Sequence, residues 1–173
     1  MPHLLTISGS LRTGSSNTAL LTAAALVAPS TITVSPFDAL AALPAFSPDL
    51  EESGQVPNAV ADWRTALAAA DAVLISSPEY AHGIPGVLKN ALDWVVGSGE
   101  LVGKRVGLLS ASSASRFAHP QLVEVLSVMS ATMVAEATVV LDVPRRGSTV
   151  EQLAADPTVA PALAAAVAAL LSV

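Results

Sequence analysis

Short apolar runs alternate with amphipathic stretches along the whole chain. The run His3 to Ile7 ends in a turn, after which Leu20, Ala24 and Val27 share one face of a helix from about Asn17 to Val27. Pro29 ends that helix, and the β-branched segment Thr31–Ser35 reads as a second strand closed by Pro36. The next stretch holds Pro44, Pro48, Asp49, Glu51, Glu52 and Gly54 and reads as a long irregular surface loop. Pro57 opens a helix with an apolar stripe at Val60, Trp63, Leu67 and Ala70. Ala72–Ser76 is apolar without alternation, as in a strand covered on both faces. Turn residues fill Ser77–Gly86, and a helix then carries Val87, Leu88, Ala91, Leu92 and Val95. Val106–Leu109 makes a fourth strand, whose exit Ser110–Ser115 is small and polar. Leu122, Val125, Leu126 and Met129 mark the next helix and Thr138–Leu141 the fifth strand. Asp156-Pro157 caps a last helix carrying Val159, Leu163, Ala166 and Leu170.

Five strand–helix units, with no internal repeat and no linker, predict one α/β domain over residues 1–173. Right-handed crossovers make the sheet parallel and place helices on both faces, a three-layer sandwich. The expected order of the five strands is 2-1-3-4-5, the flavodoxin-like arrangement, whose ligand crevice opens where connections leave strands 1 and 3 in opposite directions. The segments Ser8–Thr18 and Ser77–Gly86 are those two exits, and the strand 4 exit lies beside them.

Composition narrows the chemistry. Absence of cysteine removes disulfides, thiol nucleophiles and thiolate metal sites. A net charge of −6 without basic clusters argues against nucleic acid or an anionic membrane as partner. Although 52% of residues are hydrophobic, the longest apolar run, around Ala162–Leu171, is too short to span a bilayer. The chain start carries no basic segment followed by an apolar core, so cytoplasm is the expected compartment.

The first exit is built for an anion. Gly9 and Gly14 permit tight backbone, hydroxyls and Asn17 supply short polar groups, and first-turn N–H groups of the following helix point into the turn. Arg12 adds a planar fork of donors suited to a phosphate. Ser15 stands where a nucleoside-triphosphate loop needs lysine, and Leu11 where the dinucleotide fingerprint needs its second glycine. A single terminal phosphate therefore fits better than a pyrophosphate. Elsewhere, Glu79 between Pro78 and Tyr80 reads as a conformational element, and His82 as a loop histidine bonded to a local carbonyl. Gly97-Ser98-Gly99 lacks the hydrolase elbow.

At these two loops the sequence resembles the NAD(P)H-dependent FMN reductases, a family including quinone, chromate and azo-dye reductases. Gly9, Ser10, Leu11 and Arg12 with Ser15 and Asn17 match its G-S-L-R-x-x-S-x-N. Ser77-Pro78-Glu79-Tyr80, His82 and the run from Pro85 to Trp94 match its second motif. The resemblance implies an enzyme passing electrons from NAD(P)H through bound FMN to a quinone-like or other small electron acceptor, in ping-pong order. It implies an FMN phosphate held by Ser10, Arg12, Ser15 and Asn17 with backbone N–H groups near Ser16 and Thr18. The flavin ring would lie against Pro78, Glu79, Tyr80 and Ala81, with Ser112 at its pyrimidine edge, and the chemistry would run on FMN N5 without a catalytic side chain. A homodimer or homotetramer is implied, for which Leu92, Trp94, Val95 and Val96 are apolar candidates.

Three positions depart from the family pattern. Ala81 stands where many members have Asn, Gly83 where many have Ser, and the strand 4 exit has serines where glycines are usual. Two other functions share the fold. A flavodoxin-like electron carrier would carry T-x-T-G-N-T in the phosphate loop, and a flavin-free binding or scaffold domain would be inert toward NAD(P)H.

Overall fold

The computed structural model describes residues 1–143 and 148–171. Its elements run β1 (His3–Ser8), α1 (Ser16–Val27), β2 (Thr33–Pro36), α2 (Pro48–Glu52), α3 (Asn58–Ala69), β3 (Ala72–Ser76), α4 (Gly86–Asp93), β4 (Arg105–Ser110), α5 (Ala118–Val128), β5 (Thr132–Val140), α6 (Val150–Ala155) and α7 (Val159–Leu170). All strand pairings are parallel and the order is β2-β1-β3-β4-β5, as the alternation of elements predicts.

Side chains of the strands alternate between two apolar layers. Leu5, Ile7, Val73, Ile75, Val106 and Leu108 face α3, α4 and α5 with Trp63, Leu67, Leu88 and Leu126. Leu4, Leu74 and Leu109 face α1, α6 and α7 with Leu20, Leu163, Val167 and Leu170. Both faces of the central strands are thus buried, which is why Ala72–Ser76 reads as an uninterrupted apolar run. No helix among the described residues is long and apolar enough to cross a membrane.

Four boundaries differ from the expectation. β2 begins at Thr33 and takes in Pro36, an edge position where proline costs no ladder bond. The segment read as an irregular loop holds a 3-10 turn, Leu40–Ala42, and the short α2. This segment is pinned down. Asn90 Nδ2 donates to the Pro44 carbonyl and its Oδ1 accepts from Phe46 N–H, at 2.9 and 2.8 Å. Trp94 Nε1 also donates to Pro44, and Arg64 pairs with Glu51 at 2.6 Å. Helix α6 precedes α7, closed by a reciprocal cap between Thr149 and Gln152.

The fourth difference is β5, which starts at Thr132 instead of Thr138. Val106 pairs with Met133 but Leu108 with Thr138, so Val134–Ala137 bulge out of the ladder opposite Gly107. A Cβ on Gly107 would lie 2.7 Å from both the Cβ and the carbonyl oxygen of Ala137, so glycine is what lets the bulge close on β4. Leu92, Trp94 and Val95 correct a further expectation. All three are buried in the core, where Trp94 serves helix packing, and of the four apolar interface candidates only Val96 is exposed.

Candidate functional site

The carboxyl ends of β1, β3 and β4 open into one cleft of about 490 Å³. Its lining includes Ser10, Arg12, Ser15, Ser16, Asn17, Pro78, Glu79, Tyr80 and Ser112, nine of the eleven residues singled out from the sequence. The other two, Thr18 and Ala81, do not line it. Thr18 faces Ser8, with their hydroxyls 2.8 Å apart, and Ala81 is exposed at a hairpin tip. Five lining residues were not singled out: Ser77, Ser110, Ala111, Ala114 and Ser115. All five lie in the two exits, Ser77–Gly86 and Ser110–Ser115, that the sequence places at the crevice, and Ser77 also opens the second motif, but as small residues they were given no individual role.

The first wall is the β1–α1 turn. Gly9 N–H bonds to the Ser76 carbonyl at 2.8 Å, and a Cβ on Gly9 would meet Ser77 Oγ at 2.6 Å, so only glycine lets this turn lie against the β3 exit. Ser10 Oγ accepts from the backbone N–H of Arg12, and Gly14 turns the chain into α1 at φ 69°. Ser15, at the N-cap position, makes no side-chain bond to the first turn of α1, which also lacks an acidic residue. The helix terminus therefore presents its dipole to the cleft with no first-turn carboxylate to offset it. Arg12 sits beside it, its guanidinium also donating to the Gly14 carbonyl at 3.2 Å. Of six buried polar residues among the described ones, four (Ser10, Ser15, Asn17 and Ser110) line the cleft. Ser76, a fifth, lies under it and links β3 to Asn17 and to the Leu109 carbonyl, each at 2.9 Å. Such a donor set with one cation fits a phosphate monoester.

The second wall is the turn after β3. Tyr80 and Gly83 exchange backbone hydrogen bonds of 2.9 and 3.0 Å across a two-residue hairpin, and Gln121 Oε1 accepts from Ile84 N–H. Glu79 points toward α5. Its Oε2 accepts from the N–H groups of Phe117 and Ala118 at 2.7 and 2.9 Å, and from Ser115 Oγ at 3.3 Å. The Ala118 and Phe117 amides hold its carboxyl below the usual range. Glu79 is therefore an ionised cap of α5, the conformational role expected of it, and it is not a proton donor at neutral pH.

The third wall, residues 110–115, replaces glycine by self-satisfying serines. Ser110 Oγ donates to the Ser112 carbonyl at 2.9 Å, Ser112 Oγ accepts from Ala114 N–H at 3.2 Å, and Asp142 accepts from Ser113 N–H at 2.5 Å. No residue of this loop has positive φ, so its path does not require glycine. Among the described residues no cluster of His, Asp or Glu could hold a metal.

A polar cleft at the carboxyl ends of neighbouring parallel strands, in a sheet of order β2-β1-β3-β4-β5, defines an α/β protein of the flavodoxin-like class. The sequence profile of the NADPH-dependent FMN reductases matches residues 2–144, and the chain belongs to that family. It is 40% identical over 116 residues to an NAD(P)H-dependent FMN reductase of Pseudomonas aeruginosa, covering 66% of this chain and 61% of that protein. It is 34% identical over 93 residues to a quinone reductase of Escherichia coli, covering 54% and 50%. The matched segment thus spans less than two thirds of these relatives. Among solved structures, FerB, a flavoenzyme NAD(P)H:(acceptor) oxidoreductase from Paracoccus denitrificans, superposes with a TM-score of 0.72 at 25% identity, over 99% of this chain and 96% of FerB.

Proposed function

We propose that the cleft holds FMN and that the protein is an NAD(P)H-dependent oxidoreductase delivering electrons to small acceptors of the quinone type. The observation that carries this reading is the meeting of the uncapped α1 terminus and Arg12 with residues 78–80 in one cleft. When bound, FMN supplies the redox chemistry, accepting hydride from the nicotinamide and passing electrons to the acceptor. The protein's part is to bind and to orient. Arg12, Ser10, Ser15, Ser16 and Asn17, with first-turn N–H groups up to Thr18, bind the phosphate. Pro78, Glu79 and Tyr80 meet the ring mainly through backbone, Ala81 stays outside at the hairpin tip, and Ser112 meets the ring's pyrimidine edge. Glu79, already engaged by α5, keeps the second and third walls at a fixed separation.

Nicotinamide nucleotide and acceptor use the same open face in turn, which makes the kinetics ping-pong. Parallel double-reciprocal plots are expected, and intersecting ones would overturn that order. The same reading includes a homodimer or homotetramer, whose interface would cover exposed Val96, Val102 and Val128. A monomer in sedimentation at assay concentration would remove that part.

The deciding experiment is a visible spectrum of the purified protein followed by FMN titration, read by quenching of flavin fluorescence. Saturable binding that Arg12→Ala weakens by about tenfold or more is expected, from loss of a charge-assisted contact. Absence of both copurified and added flavin would reduce the assignment to a shared fold.

A further inference from the structure

Two aromatic rings stand together at the edge of the cleft without belonging to its polar lining. His82 and Phe117 stack with centroids 4.2 Å apart and an interplanar angle of 28°. They come from different walls. His82 is in the hairpin that begins at the cleft-lining Tyr80, and Phe117 follows the cleft-lining Ser115 by two residues. Both are exposed, Phe117 to 50% and neighbouring Tyr80 to 54%. Phe117 and Tyr80 therefore leave large ring surfaces open to solvent beside a cleft rich in serine.

The pair is also held in place from both sides. Glu79 fixes the backbone N–H of Phe117, Gln121 fixes that of Ile84, and the Tyr80–Gly83 hydrogen bonds close the hairpin that carries His82. Each tie limits how far the rings can separate, so a ligand stacking there meets a surface already formed.

We propose that the His82–Phe117 stack is a shelf for the ring of a planar aromatic electron acceptor, and that Phe117 sets the preference for such acceptors. The inference rests on the oxidoreductase reading above and adds to it the residues that choose the substrate. A flat apolar ligand is favoured over a sugar phosphate because the shelf offers ring faces, which stack.

The test titrates the protein as purified, without reductant, with anthraquinone-2-sulfonate, following the His82 ring resonances by NMR. Saturable shifts of His82 are expected in the wild type, with affinity reduced about threefold to tenfold in Phe117→Ala and retained in Phe117→Tyr. In steady-state assays kcat/KM for 1,4-naphthoquinone should fall by a similar factor relative to ferricyanide, which has no ring to stack. Undiminished quinone binding in Phe117→Ala, silent His82 resonances, or a rise in KM for NAD(P)H in place of the quinone would each overturn the shelf. Failure of the functional reading looks different: no FMN bound and no NAD(P)H oxidised by the wild type. The titration, which needs no turnover, still judges the shelf on that sample.

Discussion

Ala81 and His82 occupy the two central positions of the Tyr80–Gly83 hairpin with φ of 49° and 61°. Two successive residues at positive φ are the requirement of a type I′ turn, which favours Asn followed by Gly because Asn tolerates the left-handed region and Gly has no Cβ to clash. The departure from Asn at position 81 is thus first a matter of backbone strain, since Ala81 turns away from the cleft. Ala81→Asn should raise stability by about 0.5–1 kcal/mol and Tm by roughly 1–4 °C, as read in thermal unfolding followed by circular dichroism. A lower Tm would mean that position 81 answers to something other than its dihedral angles.

At the scale of elements, Glu79 is the joint between the β3 exit and α5. A carboxyl held below its ordinary value stabilises the fold fully above the unfolded-state pKa, near 4.5, and loses that contribution as pH falls through the lower folded value. Glu79→Gln cannot carry the charge that the α5 amides favour. The variant should be less stable than the wild type at pH 7, with the gap closing as the pH is taken below about 4.5. Denaturant midpoints at a series of pH values check this, and a gap independent of pH would assign the bond no charge component. This joint was only half visible beforehand. Residues between Pro78 and Tyr80 could be read as a constrained turn, but their partners Ser115, Phe117 and Ala118 lie 36 to 39 positions away. What was legible was set locally: the apolar period of the strands, the helix stripes and the glycine-bearing turn after β1. What was not legible depends on distant pairing. β5 shows this, because the Val134–Ala137 bulge breaks its period and leaves only Thr138 onward looking like a strand. Ala81, assigned to the ring by position in a motif, lies outside the cleft for the same reason, as its direction is set by hairpin closure with Gly83.

For the whole molecule, the cleft sits at the ends of the three central strands, so anything bound there joins α1, the β3 exit and the β4 exit across the middle of the sheet. Those contacts exist only when the sheet is formed. Flavin bound by the native state and not by the unfolded chain must therefore raise global stability, by about 2.7 kcal/mol at a free concentration of about 100 times Kd. In a chain of 173 residues that corresponds to a Tm increase of roughly 5–10 °C. Riboflavin has the ring without the phosphate, so it should give a smaller shift at equal concentration if the α1 terminus and Arg12 supply much of the affinity. Arg12→Ala should bring the FMN shift down toward that of riboflavin. Calorimetric scans of both proteins with both ligands separate the two walls. Equal shifts for FMN and riboflavin would mean that the ring slot alone holds the ligand and that the first turn is a helix cap with no anion to bind.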